Sequence, residues 1–230
     1  MLSIVVPGCG GGGEDGHRKK SSASGLSAPT WLKVDPSKFL PLEGPDINKD
    51  VDRDADGEPR IRVFDPKGWK LFSNTGKKGS KGVFVAGFQN GQNNLQLWAK
   101  DTAIHTLEED DLPDFAAGIQ EKYKTPAKMV KLGGLYGVTF ATRRPDPKRP
   151  GYFFSTNVVV TARNNRLYVY EAISRSNSDR SGIRNALYTF VATTQVLRDG
   201  KPVENAGEQA AVDVAKPNEA DIPEVRPESP

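Results

Sequence analysis

The sequence predicts an α+β fold, a sandwich of mainly antiparallel strands covered by helices, with flexible N- and C-terminal tails. Three observations carry this expectation. Between residues 82 and 173, β-rich runs recur with short turns of Asn and Gly between them. Two stretches, 112–124 and 183–197, instead space their apolar residues for one face of a helix. Both ends of the chain lack the apolar content that a core requires.

Residues 1–30 read MLSIVVPGCGGGGEDGHRKKSSASGLSAPT. Beyond the first six, Gly, Ser and charge bury too little apolar area to offset backbone ordering, so the segment is expected to be flexible. Residues 31–60 read as an extended segment with an acidic run, and residues 61–198 as the folded domain. Ile61 to Phe64 is a short β-rich run, stopped by Asp65-Pro66. Trp69 follows it and is expected to be buried over the open end of the core.

Gly82 to Phe88 and Asn94 to Ala99 read as two strands, joined by Gln89-Asn90-Gly91-Gln92. Asn90-Gly91 suits a type I′ turn, whose two central residues need positive φ. Leu112, Phe115, Ala116, Ile119 and Tyr123 share one helical face, and residues 131–142 return to strand. Tyr152, Phe154, Thr156, Val158, Val160 and Ala162 alternate along a strand. Arg163-Asn164-Asn165-Arg166 turns it back into Leu167-Tyr168-Val169-Tyr170.

Ser176-Asn177-Ser178-Asp179 offers N-cap chemistry to a helix carrying Ile183, Ala186, Leu187, Phe190, Val191, Thr194 and Leu197. That helix is expected to end at Asp199-Gly200. Residues 199–230 form an acidic, Pro-rich tail; from Lys201 onward it has seven acidic and three basic residues and no aromatic.

Composition narrows the function. The 230 residues carry a net charge of +3 with one Cys and two His. One Cys excludes a disulfide framework within the chain and a multi-Cys zinc site. His17 and His105 leave little material for a histidine-based centre. His105 lies near Asp101, Glu108 and Glu109, yet no second His and no nucleophile elbow accompany it, so the chain reads as no enzyme. No run of 18 apolar residues is present in the sequence, so no helical span is expected.

Four motifs remain. Gly8-Cys9-Gly10-Gly11-Gly12-Gly13 matches a dinucleotide fingerprint by letter, but no amphipathic helix follows it, and it reads as a linker. Val6-Pro7-Gly8-Cys9 also fits the end of a lipoprotein signal, with Cys9 as the lipid anchor, although the apolar stretch before it is short and lacks a basic start. Asp52, Asp54 and Asp56, followed by Gly57, form the first half of a calcium loop. Val63 stands where that loop needs its bidentate Glu, so the run reads as a solvated linker with at most weak calcium binding, and no firm cofactor is expected.

Last, Arg143, Arg144, Lys148 and Arg149 lie in a stretch stiffened by Pro145, Pro147 and Pro150. With Lys122, Lys124, Lys128 and Lys131 they make a candidate positive face. No aromatic is interleaved among them in sequence, which counts against nucleic acid; docking to an acidic protein surface explains the stretch as well, and a plain solvated loop between two strands is the simplest alternative.

Ile61-Arg62-Val63-Phe64-Asp65-Pro66-Lys67-Gly68-Trp69 resembles the opening of PsbP-family domains, a strand followed by Pro, two residues and Trp. The strand to Val160, the turn at Asn164-Asn165, Arg166-Leu167-Tyr168-Val169 and the helix with Phe190 and Val191 resemble that family's C-terminal close. NLQLWAKDTAIHTLEEDDLPDFAAGI resembles its strand, acidic loop and helix. The resemblance spans about residues 58–198. It implies the α/β/α sandwich shared with Mog-type and actinobacterial lipoprotein domains. It also implies a non-catalytic, extrinsic photosystem subunit in the chloroplast thylakoid lumen, docked on core or antenna subunits near the oxygen-evolving centre and monomeric outside the complex. The family's His pair is replaced by Ser155-Thr156-Asn157, so its metal site does not carry over. The alternative is a lipid-anchored extracytoplasmic binding domain held through Cys9.

Overall fold

The structure, a computed structural model, describes residues 26–43, 49–50, 52–54, 58, 60–73, 78–79, 81–175, 180–198 and 201–202. Cys9, Asp56, Gly57 and the acidic tail beyond Pro202 lie outside the described residues.

In chain order the strands are β1 (Thr30–Trp31), β2 (Lys49–Asp50), β3 (Ile61–Val63), β4 (Lys70–Ser73), β5 (Lys78–Gly79), β6 (Gly82–Asn90) and β7 (Asn93–Asp101). Helix α1 (Leu112–Tyr123) follows, then β8 (Ala127–Leu132), β9 (Leu135–Pro145), β10 (Phe153–Arg163) and β11 (Arg166–Arg175). Helix α2 (Arg180–Thr193), β12 (Gln195–Arg198) and β13 (Lys201–Pro202) close the described chain. The large sheet has nine strands in the order β1-β8-β9-β10-β11-β7-β6-β4, with β5 also on β6. Every pairing in it is antiparallel except β1 with β8. A smaller sheet, β13-β12-β3-β2, is not paired with it but shares a core with it through Ile61, Val63 and Val196.

Each face of the large sheet has its own core. Against one face α2 packs Ile183, Ala186, Leu187, Phe190 and Val191 onto Phe88, Leu95, Leu97, Val159 and Tyr170, with Trp69 in the same cluster. Against the other, α1 packs Leu112, Ala116 and Ile119 onto Met129, Val138, Phe140, Val158, Val160 and Val169. This is the expected α/β/α sandwich. Because both faces are covered, Val158, Val159 and Val160 are all buried, and the simple in–out alternation expected of this strand is lost. Trp69, as expected, is only 4% exposed.

Residues ahead of Ile61 join the same body. Val34, Phe39 and Leu40 pack on the first core, and the Leu40 amide donates to Thr189 Oγ1 at 2.8 Å. Gln120, buried at the end of α1, accepts from the Ala127 amide at 3.0 Å and donates to the Ser27 carbonyl at 3.1 Å.

Three local expectations are corrected. The hairpin turn after β6 has positive φ at Gly91 (57°) but not at Asn90 or Gln92, which is the pattern of a type II′ rather than a type I′ turn. Residues 131–142 are not one strand: Gly133 and Gly134, with φ of 55° and 79°, fold β8 onto β9. The second helix stops at Thr193 instead of running to Asp199. Thr193 and Thr194 return their hydroxyls to the Thr189 and Phe190 carbonyls at 2.8 and 2.7 Å. The β-branched run then leaves the helix, and Val196 pairs with Ile61.

Candidate functional site

The basic stretch is built mostly from strand, not loop. Strand β8 reaches only to the Ala127–Phe140 pair, so from Ala141 to Pro145 β9 pairs with β10 alone. The end of the β9–β10 hairpin therefore reaches past its neighbour. Its turn is ordered by Asp146, whose amide donates to the Tyr152 carbonyl at 2.9 Å and whose Oδ1 accepts from the Lys148 amide at 2.9 Å. Gly151, with φ of 85°, supplies a left-handed position that other residues disfavour.

Arg143 and Arg144 leave this ribbon on opposite faces. The Arg143 guanidinium sits 3.9 Å from the centroid of Phe153, and that of Arg144 sits 5.1 Å from that of Phe154. Arg143, Arg144, Lys148 and Arg149 are all exposed, and Tyr152 beside them is 52% exposed. The expectation that no aromatic accompanies these cations fails in three dimensions, because the rings arrive from the opposing strand. The period-2 pattern of β10 was the signal that could have shown it. The other lysines divide: Lys122 lies 5.5 Å over Tyr123, while Lys131 lies 4.6 Å over Tyr136 and donates to its hydroxyl at 3.1 Å. Burial pulls the Lys122 ammonium below its ordinary range.

The acidic run is placed differently. Asp52 is turned inward, its side chain 2% exposed, and both its oxygens accept from Arg166: Nη2 at 2.5 Å and Nε at 2.9 Å. Arg166 Nη1 also donates to Asp101 Oδ1 at 2.8 Å. Burial alone would lower the Arg166 pKa; the hydrogen bonds and charge of Asp52, then those of Asp101, outweigh it and raise it. Asp54 Oδ1 accepts from the Glu58 amide at 2.9 Å. Both described carboxylates of the run are thus engaged by protein donors. Among the described residues, no three His, Cys, Asp or Glu side chains group around a metal position.

His105 and its acidic neighbours do not assemble either. Its Nδ1 lies 2.9 Å from Asn165 Oδ1, and its carbonyl accepts from the Asn165 amide at 2.8 Å, so it braces the β10–β11 turn. Glu108 and Asp111 form a reciprocal cap on the turn before α1, and Glu109 accepts from the Tyr136 hydroxyl at 2.9 Å.

One pocket of about 660 Å³ adjoins the hairpin, where the end of α1, β9, β10 and the start of α2 meet. Sequence reasoning missed it, because its walls come from four separate elements.

No family model and no curated protein matches the chain. Among solved structures, it is similar to a 1.50 Å crystal structure from Bacteroides thetaiotaomicron VPI-5482, at 13% identity and a TM-score of 0.43. That match covers 62% of this chain and 47% of the other, so this chain spans about half of its length. It is also similar to the solution structure of cyanobacterial PsbP from Synechocystis sp. PCC 6803, at 15% identity and a TM-score of 0.34, covering 67% of this chain and 95% of that one.

Proposed function

We propose that the chain is a non-catalytic, PsbP-like extrinsic subunit of a photosystem on the lumenal side of the thylakoid membrane. It would dock on the complex, and stabilise it or its oxygen-evolving centre, through the end of the β9–β10 hairpin. The observation that carries this reading is the set of four exposed cations on a reaching, ordered hairpin, two of them laid on Phe153 and Phe154. Stacking and proline fix these groups before contact, so less freedom is lost on docking to an acidic protein surface. The sequence resemblance from Ile61 to Trp69 and around Asn164-Asn165 supplies the photosystem as the partner. No helix among the described residues is long and apolar enough to cross a membrane, which suits peripheral attachment. His105, which lies near acidic residues in the sequence, is used in bracing a turn.

Salt washing of isolated membranes tests the proposal. Charge contacts at a surface are screened over about 8–10 Å at physiological salt. Rising NaCl is therefore expected to release the protein, and the triple variant Arg143→Glu, Arg144→Glu, Arg149→Glu is expected to be released without added salt. That variant should melt within a few degrees of wild type, since surface changes rarely exceed about 0.5 kcal/mol each. A normally folded triple variant that resists elution as wild type does would remove the hairpin from the docking surface.

A further inference from the structure

Strand β9 has an open edge beside the basic hairpin. Pro126 has no amide proton with which to continue the β8–β9 ladder beyond the Ala127–Phe140 pair. The Ala141 carbonyl, which the next ladder bond would use, accepts instead from the Thr125 hydroxyl at 3.0 Å. In an antiparallel strand both backbone groups of a residue point to one side, and that side alternates. Ala141 turns to the β8 side, so Arg143 and Pro145 do too, while Thr142 and Arg144 face Thr156 and Phe154 of β10. The Arg143 amide and carbonyl and the Pro145 carbonyl therefore point outward, and among the described residues no strand takes them. Ala141, Arg143, Arg144 and Pro145 are all exposed. The pocket of about 660 Å³ lies against this edge, since Ala141, Thr142 and Arg143 line it together with Thr125 from just before β8. At the two margins of the sheet, by contrast, the short β1 lies on β8, and β4 and β5 lie on β6.

Charge decides what can pair there. Neighbouring side chains leave a strand on opposite faces, so the edge presents Arg143 on one face and Arg144 on the other. A ring holds each of them, with guanidinium-to-centroid distances of 3.9 Å to Phe153 and 5.1 Å to Phe154. A second copy of this edge would set cation against cation across the ladder, which is unfavourable. A strand with two consecutive acidic residues fits instead. Its backbone answers Arg143, and its side chains, alternating as those of β9 do, set one carboxylate beside each guanidinium.

We propose that the open edge of β9 receives an extended acidic segment of a partner protein as an added strand. Arg143 supplies backbone hydrogen bonds, and Arg143 and Arg144 each pair with a carboxylate, one on either face. This rests on the reading of the hairpin as a docking surface and adds the way in which the partner is held.

The probe is the synthetic peptide Thr-Val-Glu-Glu-Val-Thr, acetylated and amidated, whose side-chain order is the same in either strand direction. Titrated into the full chain and followed by amide NMR, it is expected to bind one to one and to slow exchange of the Arg143 amide about tenfold or more. The counterpart Thr-Val-Lys-Lys-Val-Thr is expected not to bind. N-methylation of both glutamates keeps the charge, removes the donor that faces the edge, and is expected to weaken binding about tenfold. Arg143→Gln and Arg144→Gln are each expected to weaken it about threefold, and independently, since the two charges act on separate faces. Equal binding of the N-methylated peptide, or binding that leaves the Arg143 amide unprotected, would show charge attraction without strand pairing and overturn the proposal. So would no binding, or an Arg143 amide already protected in the free chain, because another segment would then cover the edge. These readouts are separate from salt elution. A chain that salt releases but that does not pair with the peptide keeps its docking surface and loses the added strand, whereas failed salt release removes the docking reading whatever the peptide does.

Discussion

Arg166 ties together three separate stretches of the chain. It takes both oxygens of Asp52 and one of Asp101, while Arg60 adds a longer contact to Asp101 at 3.7 Å. The side chains of Arg166 and Asp52 are 8% and 2% exposed, so neither charge is well hydrated without the other. Arg166→Ala is therefore expected to cost about 3–5 kcal/mol in urea denaturation, because it strands a buried carboxylate. A loss below about 1 kcal/mol would mean that water reaches Asp52. The carboxylate spacing in the acidic run was legible in sequence, but the guanidinium that claims Asp52 comes from far downstream, and spacing alone is silent about it. Tyr168 and Tyr170 give a second, pH-dependent expectation. Burial first, and then the negative charge of Asp52, push both phenols above their ordinary value of 10.0. The unfolded chain ionises near pH 10 while the folded one does not. Their contribution is thus complete below pH 10 and falls as pH rises beyond it, by about 1.4 kcal/mol per pH unit for each phenol. Denaturation curves from pH 9 to 12 should show this fall, and Tyr168→Phe should reduce its slope; an unchanged slope would contradict the assignment.

Among the elements, α1 and the two long strands around Asn164-Asn165 were legible because their period and turn chemistry are local. Asn164 and Asn165 have φ of 50° and 58°, as a type I′ turn requires. The end of α2 was not legible, since Thr194 and Leu197 continue a helical stripe in sequence. What ends the helix is the pairing of Gln195 and Val196 with Arg62 and Ile61, a contact of long sequence separation. The four cations of the hairpin were visible, but their aromatic supports were not, because a strand's cross-partner is set by register. Two turn glycines separate local from tertiary demands. Gly91, with φ of 57°, has open space around an added Cβ. Gly133, with φ of 55°, would drive a Cβ into the Ala192 carbonyl at the end of α2. Gly91→Ala should cost about 1–2 kcal/mol from backbone conformation alone. Gly133→Ala should cost on the order of 2–4 kcal/mol, because the clash adds to it. Equal losses in thermal denaturation would show that the β8–β9 turn can move away from α2.

At the scale of the whole molecule, one sheet separates two cores, each capped by a single helix, and segments before Ile61 and after Thr193 finish its margins. The strand order also contains a schedule. Three pairs, β6–β7, β8–β9 and β10–β11, are joined by two-residue turns at Gly91-Gln92, Gly133-Gly134 and Asn164-Asn165. Such hairpins close in about 1–10 μs when isolated. The β7–β11 seam is different: it aligns Asn94 with Ile173 and Asp101 with Arg166, across the intervening α1, β8, β9 and β10. Loop-closure entropy must be met there before the contacts reward it. Joining the β6–β7 ribbon to the β8–β11 ribbon is thus expected to limit the folding rate. Substitutions along the seam, such as Leu97→Ala, should slow refolding more than an equally destabilising change in α1; equal refolding rates would point to another nucleus. The protein would then emerge in time as two ribbons that form quickly and meet slowly.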